Sequence, residues 1–176
     1  MYTLTLTVSD HITFQLYEAS MNPVKRKARK TSFLILLGLA VMVAFFGYQT
    51  EHHFLMYYSF FCLLVVLCFG NVYLRWRHKI HYTKHVKNRL KDNPTEIVEI
   101  EITEDQIRAI DRVSNSTIKI SEITVVNEIS SHYFLTLSTA THLIIPKTIP
   151  ALNGEVDDMI RKVNIPHVIN LDWKWR

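Results

Sequence analysis

Glycine is scarce in this chain: of four glycines only Gly154 lies outside the apolar region Ser32–Leu74. A phosphate-binding loop needs several glycines close together, so the common nucleotide-binding motifs are excluded. Both cysteines, Cys62 and Cys68, fall inside that same region, six residues apart and on different faces of a helix. Neither a disulfide nor a thiolate zinc site follows from that placement, and they read as small apolar filler. Charge is missing altogether from two runs, "TSFLILLGLAVMVAFFGYQT" (31–50) and "FLMYYSFFCLLVVLCFGNVYL" (54–74). An ion or proton pathway would need ionisable groups there.

Each run reaches the roughly 20 apolar residues that a helix needs to cross a bilayer. Neither shows the polar face of a soluble core helix. A signal peptide does not fit, because the first run begins thirty residues in and lacks a small-residue cleavage site before Gln49. The expectation is a transmembrane hairpin over 31–74, turned by "QTEHHF" (49–54). Lys25, Arg26, Lys27, Arg29 and Lys30 precede the first span, Arg75, Arg77 and Lys79 follow the second, and the turn has no Lys or Arg. By the positive-inside rule both termini face the cytoplasm, as in an integral, multi-pass protein with two spans.

The formal charge of +4 comes from these flanks. Residues 92–176 hold eight Lys/Arg against thirteen Asp/Glu, a net of −5. An acidic domain is a poor match for a phosphate backbone, so nucleic acid is not expected as a partner. The segment 75–93 reads as a basic juxtamembrane helix ended by Asn93-Pro94. Its Arg75, Trp76, Arg77 and Lys79 suit the headgroup layer, together with the Lys/Arg before the first span. His78, His81 and His85 share one helix face, but no Cys or carboxylate stands in register, so a metal site is not expected. Ala40, Ala44 and Gly47 form a small-residue stripe on the first span, with Ser59, Cys62 and Gly70 offering a comparable face on the second. The stripe serves either packing within the hairpin or a homodimer.

From Thr95 the pattern changes to period two. "EIVEIEIT", "IRAIDRV", "STIKIS", "EITVVNEI", "YFLTLS" and "HLIIPK" read as antiparallel strands, and Leu152–Asn164 as a helix with Val156, Ile160 and Val163 inward. At the amino terminus "YTLTLTV" and "HITFQLY" also alternate. They predict a β-hairpin over 1–20 that docks on the later sheet, since two strands alone are marginal. The fold class is therefore an α+β membrane protein. A two-helix transmembrane hairpin is inserted between an N-terminal β-hairpin and a cytosolic antiparallel β domain (95–176) closed by a C-terminal helix.

"SDHITFQLYEAS", a basic stretch, two spans and "ISEITVVNEISSHYFLTLSTATHLIIPKTI" together resemble the YcxB-like family of small bacterial membrane proteins. The most specific part is "YFLTLS…HLIIPK", ending in Ile145-Pro146-Lys147. The resemblance implies a pleckstrin-homology-like (PH-like) domain tethered by two helices in the bacterial plasma (inner) membrane. It implies no activity. Ile120 stands where relatives commonly carry Trp, so a role for that aromatic does not transfer.

Candidate chemistry is thin, and neither an enzyme nor a cofactor is expected. His132 and His142, near the two ends of one hairpin, offer an imagined acid–base pair with Asp111 or Glu128, but no spacing favours this over surface placement. Lys147, after a strand-ending proline, is either a phosphate-headgroup contact or an edge device against unwanted strand pairing. Trp173 and Trp175 alternate with basic residues, as a membrane contact or as rings packed on the sheet. Three functions follow. The first is an interaction module that binds a protein or peptide partner at the cytoplasmic face, with Glu99 and Glu101 on its acidic surface. The second is a sensor of anionic lipid or membrane state, working through Lys147, the Trp pair and the basic helix. The third is an accessory subunit of a membrane transport or envelope complex. The lipid bilayer is a partner in all three.

Overall fold

The elements run β1 (Tyr2–Thr7), α1 (Val8–Met21), α2 (Pro23–Gln49), α3 (His53–Arg89), β2 (Thr95–Ile102), β3 (Gln106–Ile110), β4 (Asn115–Lys119), β5 (Ile123–Glu128), β6 (His132–Leu137), β7 (His142–Pro146), α4 (Pro150–Val163) and β8 (His167–Ile169). The computed structural model describes residues 1–49, 53–112 and 114–175. Thr50, Glu51 and His52 of the expected turn lie outside the described residues, as do Val113 and Arg176. Two units result: residues 1–15 with 86–175, and residues 16–85.

In the helical unit, α2 and α3 form a hairpin of two helices long and apolar enough to cross a membrane. Asn22 starts α2: its side-chain oxygen accepts the N–H groups of Val24 (2.9 Å) and Lys25 (3.3 Å). Pro23 takes the first helical position, where a missing N–H costs nothing. Large apolar side chains such as Phe45, Phe46, Phe61, Leu64 and Phe69 point outward, as lipid-facing residues do and core residues do not. The helices meet through small residues. Ala44 and Gly47 are buried, and a Cβ on Gly47 would come within 2.9 Å of Ser59 Cβ. A Cβ on Gly70 would meet the Phe33 ring at 3.3 Å. Ala44 and Gly47 of the small-residue stripe are thus used inside the hairpin, which is the packing reading; Ala40 is half-buried.

In the β unit, β1-β2-β3-β4 form one antiparallel sheet and β7-β6-β5-β8 a second. β1 pairs with β2 along its whole length, from Tyr2 opposite Ile100 to Thr7 opposite Thr95. Alternation then sends Leu4, Leu6, Val98, Ile100 and Ile107 to the core, while Thr3, Thr5, Ile97, Glu99 and Arg108 stay on the outer face. In the second sheet β6 is buried on both sides from His132 to Leu135. Tyr133 reaches α4, through a hydrogen bond to Asp157, and Phe134 meets Phe14 of α1 at 5.3 Å. α4 buries Leu152, Val156, Met159 and Ile160, one stripe at helical spacing. Asn164 ends it in the left-handed region (φ 54°), with the N–H of Ile165 returning to the Ile160 carbonyl.

Three expectations are corrected. The stretch 11–17 is helix, not the second strand of a hairpin. Asp10 at the third helical position accepts the backbone N–H (2.7 Å) and hydroxyl (2.8 Å) of Thr7, the carboxylate half of a capping box, where the chain passes from β1 into α1. Val163 is 45% exposed, and Leu152 and Met159 do the work assigned to it. The β domain has two sheets, and β8, which no sequence signal had singled out, pairs parallel with β5. After β8, the Trp173 N–H closes a turn on the Asn170 carbonyl.

Candidate functional site

Three polar constellations stand out. The first joins the start of α1 to β6. His132, 6% exposed, lies with Nε2 3.0 Å from Asp10 Oδ1 and Nδ1 2.8 Å from Ser131 Oγ. Burial alone would raise the Asp10 carboxyl. The two hydrogen bonds from Thr7 and the His132 contact outweigh it and hold the group below the usual carboxylate value. Ser, His and Asp are the residue types of acyl transfer, but the ring is used the other way round. There the serine faces Nε2 and the acid Nδ1. Here the chain ties the N-terminal segment to the second sheet. His142 sits at the other end of the strand pair, opposite Thr136 and 4.8 Å from the Phe14 ring, whereas His132 lies opposite Pro146. The imagined pairing of the two histidines with Asp111 or Glu128 is therefore not formed. Asp111 instead accepts the N–H (2.6 Å) and hydroxyl (2.7 Å) of Ser114.

The second constellation lies on the α4 side of β6. Lys147 donates to Glu128, and its ammonium sits 4.4 Å from the centre of the Tyr133 ring. His167 of β8 brings Nε2 to 2.8 Å from the other Glu128 oxygen. Side-chain exposures of 17% and 14% at Lys147 and Glu128 make this an internal pair. Tyr133 donates to Asp157 at 3.0 Å, and burial first, then that bond and the nearby acids, push its phenol well above the usual value. Lys147 is thus held inward rather than offered to a headgroup. No sequence signal marked His167 or Asp10 as partners, because both meetings depend on sheet register and helix placement.

The third constellation is an open groove of about 580 Å³ on the outer face of the first sheet. Leu90, Ile97 and Ile110 supply apolar surface, with Ile97 60% exposed. Glu96, Glu99 and Asp111 rim it against a single cation among the described lining residues, Arg112. Glu99 therefore belongs to the groove. Glu101 does not line it and stands opposite Arg108 in the register. A smaller cleft of about 240 Å³ beside α4 carries Glu104, Glu155 and Asp158 with Lys162.

In the helical unit, Lys25 bonds Glu18 at 2.7 Å and Arg29 donates to the Ala19 carbonyl at 2.7 Å, so two of the expected interface residues also tie α1 to α2. Arg26, Lys27, Lys30, Arg75, Trp76, Arg77 and Lys79 are exposed. Trp173 and Trp175 are half-buried, with Lys174 exposed between them.

No curated protein and no solved structure matches the chain. Residues 102–149, from the last residue of β2 through β7 to the start of α4, match the family model described as YcxB-like protein, and over that segment the chain is similar to the YcxB-like family.

Proposed function

We propose that the chain is a membrane-anchored, non-catalytic interaction module. It presents a PH-like domain at the cytoplasmic face of a bacterial plasma membrane and binds a basic, partly apolar segment of a protein partner. The observation that carries this reading is the groove around Glu99: apolar at Leu90, Ile97 and Ile110, acidic at Glu96, Glu99 and Asp111. Its size is that of a small-molecule or short-peptide site, about 300–1,000 Å³. The β unit's acidic balance favours a cationic ligand and disfavours an anionic surface as the direct target. The positive-inside distribution of Lys/Arg supports a cytoplasmic placement. Two sheets followed by α4 are in keeping with the PH-like architecture that the YcxB-like resemblance implies.

The test uses the full chain in detergent micelles with a photoreactive residue at Ile97 and a defined decapeptide of alternating Lys and Leu. The expected result is a peptide adduct that disappears in the Glu99→Lys variant and does not form with the matching Glu/Leu peptide. Equal adducts with both peptides, or none with either, would overturn the assignment.

A further inference from the structure

The basic ends of α2 and α3 do more than flank the apolar spans. A cleft of about 480 Å³ opens between them. Arg26, Arg29 and Lys30 of α2 and Arg75 and His78 of α3 line it, and Asn71 adds a carboxamide. No Asp or Glu is among its lining residues. Phe33, Leu34 and Leu74 form its apolar part. The Nε2 atom of His78 is buried and has no hydrogen-bond partner among the described residues.

The order of these residues along the helices is informative. From Arg26 to Leu34 α2 rises about 12 Å, passing from charged to apolar side chains. On α3 the sequence runs the opposite way, Leu74 before Arg75 and His78. Charge therefore gathers at one end of the cleft and hydrocarbon at the other, the layout of a phospholipid at the headgroup–acyl boundary. A soluble phosphate would use the first end only. Basic pockets between transmembrane helices on the cytoplasmic side are a recurrent way to hold anionic lipid.

We infer that this cleft is a binding site for one anionic phospholipid, with the phosphate held by Arg26, Lys30 and Arg75 and the acyl region lying on Phe33 and Leu74. It is distinct from the groove on the first sheet, and neither site needs the other.

The experiment is native mass spectrometry of the full chain in micelles, titrated with phosphatidylglycerol and with phosphatidylcholine of identical acyl chains. Phosphatidylglycerol should be retained about tenfold better by the unaltered protein, a comparison that needs no variant to fold. The variant Lys30→Gln/Arg75→Gln should lose that preference. A charge-matched control on the helix surface, Lys84→Gln/Lys87→Gln, should keep it. Equal retention of the two lipids overturns the site. Equal loss in both variants reduces it to diffuse surface attraction and also overturns it. Displacement of phosphatidylglycerol by inorganic phosphate at millimolar concentration would reassign the cleft to a soluble anion.

Discussion

Asp10 and His132 stand 122 residues apart in the chain and 3.0 Å apart in the fold. The apolar hairpin separates them in sequence, and this contact, the pairing of β1 with β2 and the Phe14–Phe134 ring contact all help join the first fifteen residues to the β unit. The bond also fixes an acid-dependent contribution to stability. The Asp10 carboxyl is held below its ordinary value in the folded chain. Its contribution is therefore complete above about pH 4, the unfolded value, and is lost as the pH falls through the folded value. Asp10→Asn should cost about 1–3 kcal/mol at pH 7. In denaturant unfolding followed by tryptophan fluorescence, the gap to the unaltered protein should narrow as the pH falls below about 4, the unfolded value. A gap that does not change with pH would show that the carboxylate charge plays no part.

Lys147 makes a second, opposed prediction. Were it a headgroup contact, Lys147→Ala would weaken lipid binding and leave stability alone. The internal pair with Glu128 predicts the reverse: a loss of about 1–3 kcal/mol, because Glu128 is left partly buried with only His167 beside it. Lys147→Met, which keeps the stem over the Tyr133 ring, should recover part of that loss. Unchanged unfolding midpoints in both variants would restore the surface reading.

Glycine separates packing from mere composition in the spans. Gly47 faces Ser59, and any Cβ there meets the facing side chain. Gly38 has no atom within 4 Å of an added Cβ. Gly47→Leu should therefore lower the thermal midpoint in detergent by several degrees, the effect of about 1–3 kcal/mol of overpacking, while Gly38→Ala should leave it unchanged. Equal effects at the two positions would mean that the helices do not meet as described.

Much of this arrangement was legible in the residues, for physical reasons. The two long helices declare themselves because each carries about twenty apolar residues without a charge, and most of the strands because alternate residues are buried. α1 is concealed because the seven residues of "HITFQLY" alternate well enough for a strand. The deciding signal was upstream, in Thr7 and Asp10, where a capping box announces a helix. β8 was hidden because three residues carry no period and a parallel partner leaves no turn to mark it. The groove on the first sheet has no mark of its own in the sequence. Glu99 and Glu101 look equivalent in an alternating strand, and only the neighbouring strand's register distinguishes them.

That distinction gives the sharpest test of the interaction surface. Glu99 lines the groove together with Ile97, whereas Glu101 stands opposite Arg108 and outside it. Glu99→Lys should reduce basic-peptide binding at least about fivefold at low salt, by turning an attraction into a repulsion in partly screened surroundings. Glu101→Lys should change it little. Both differences should shrink as ionic strength rises, since the Debye length falls from about 10 Å at 0.1 M to about 3 Å at 1 M. Charge reversal at Asp157 is no substitute, because that carboxylate accepts the Tyr133 hydroxyl and its loss would unsettle α4 on the second sheet. Fluorescence anisotropy of the Lys/Leu decapeptide on the full chain in micelles reads all of these comparisons. Equal sensitivity to Glu99→Lys and Glu101→Lys would point to the domain's overall charge rather than a groove, and would remove the basis for a defined peptide site.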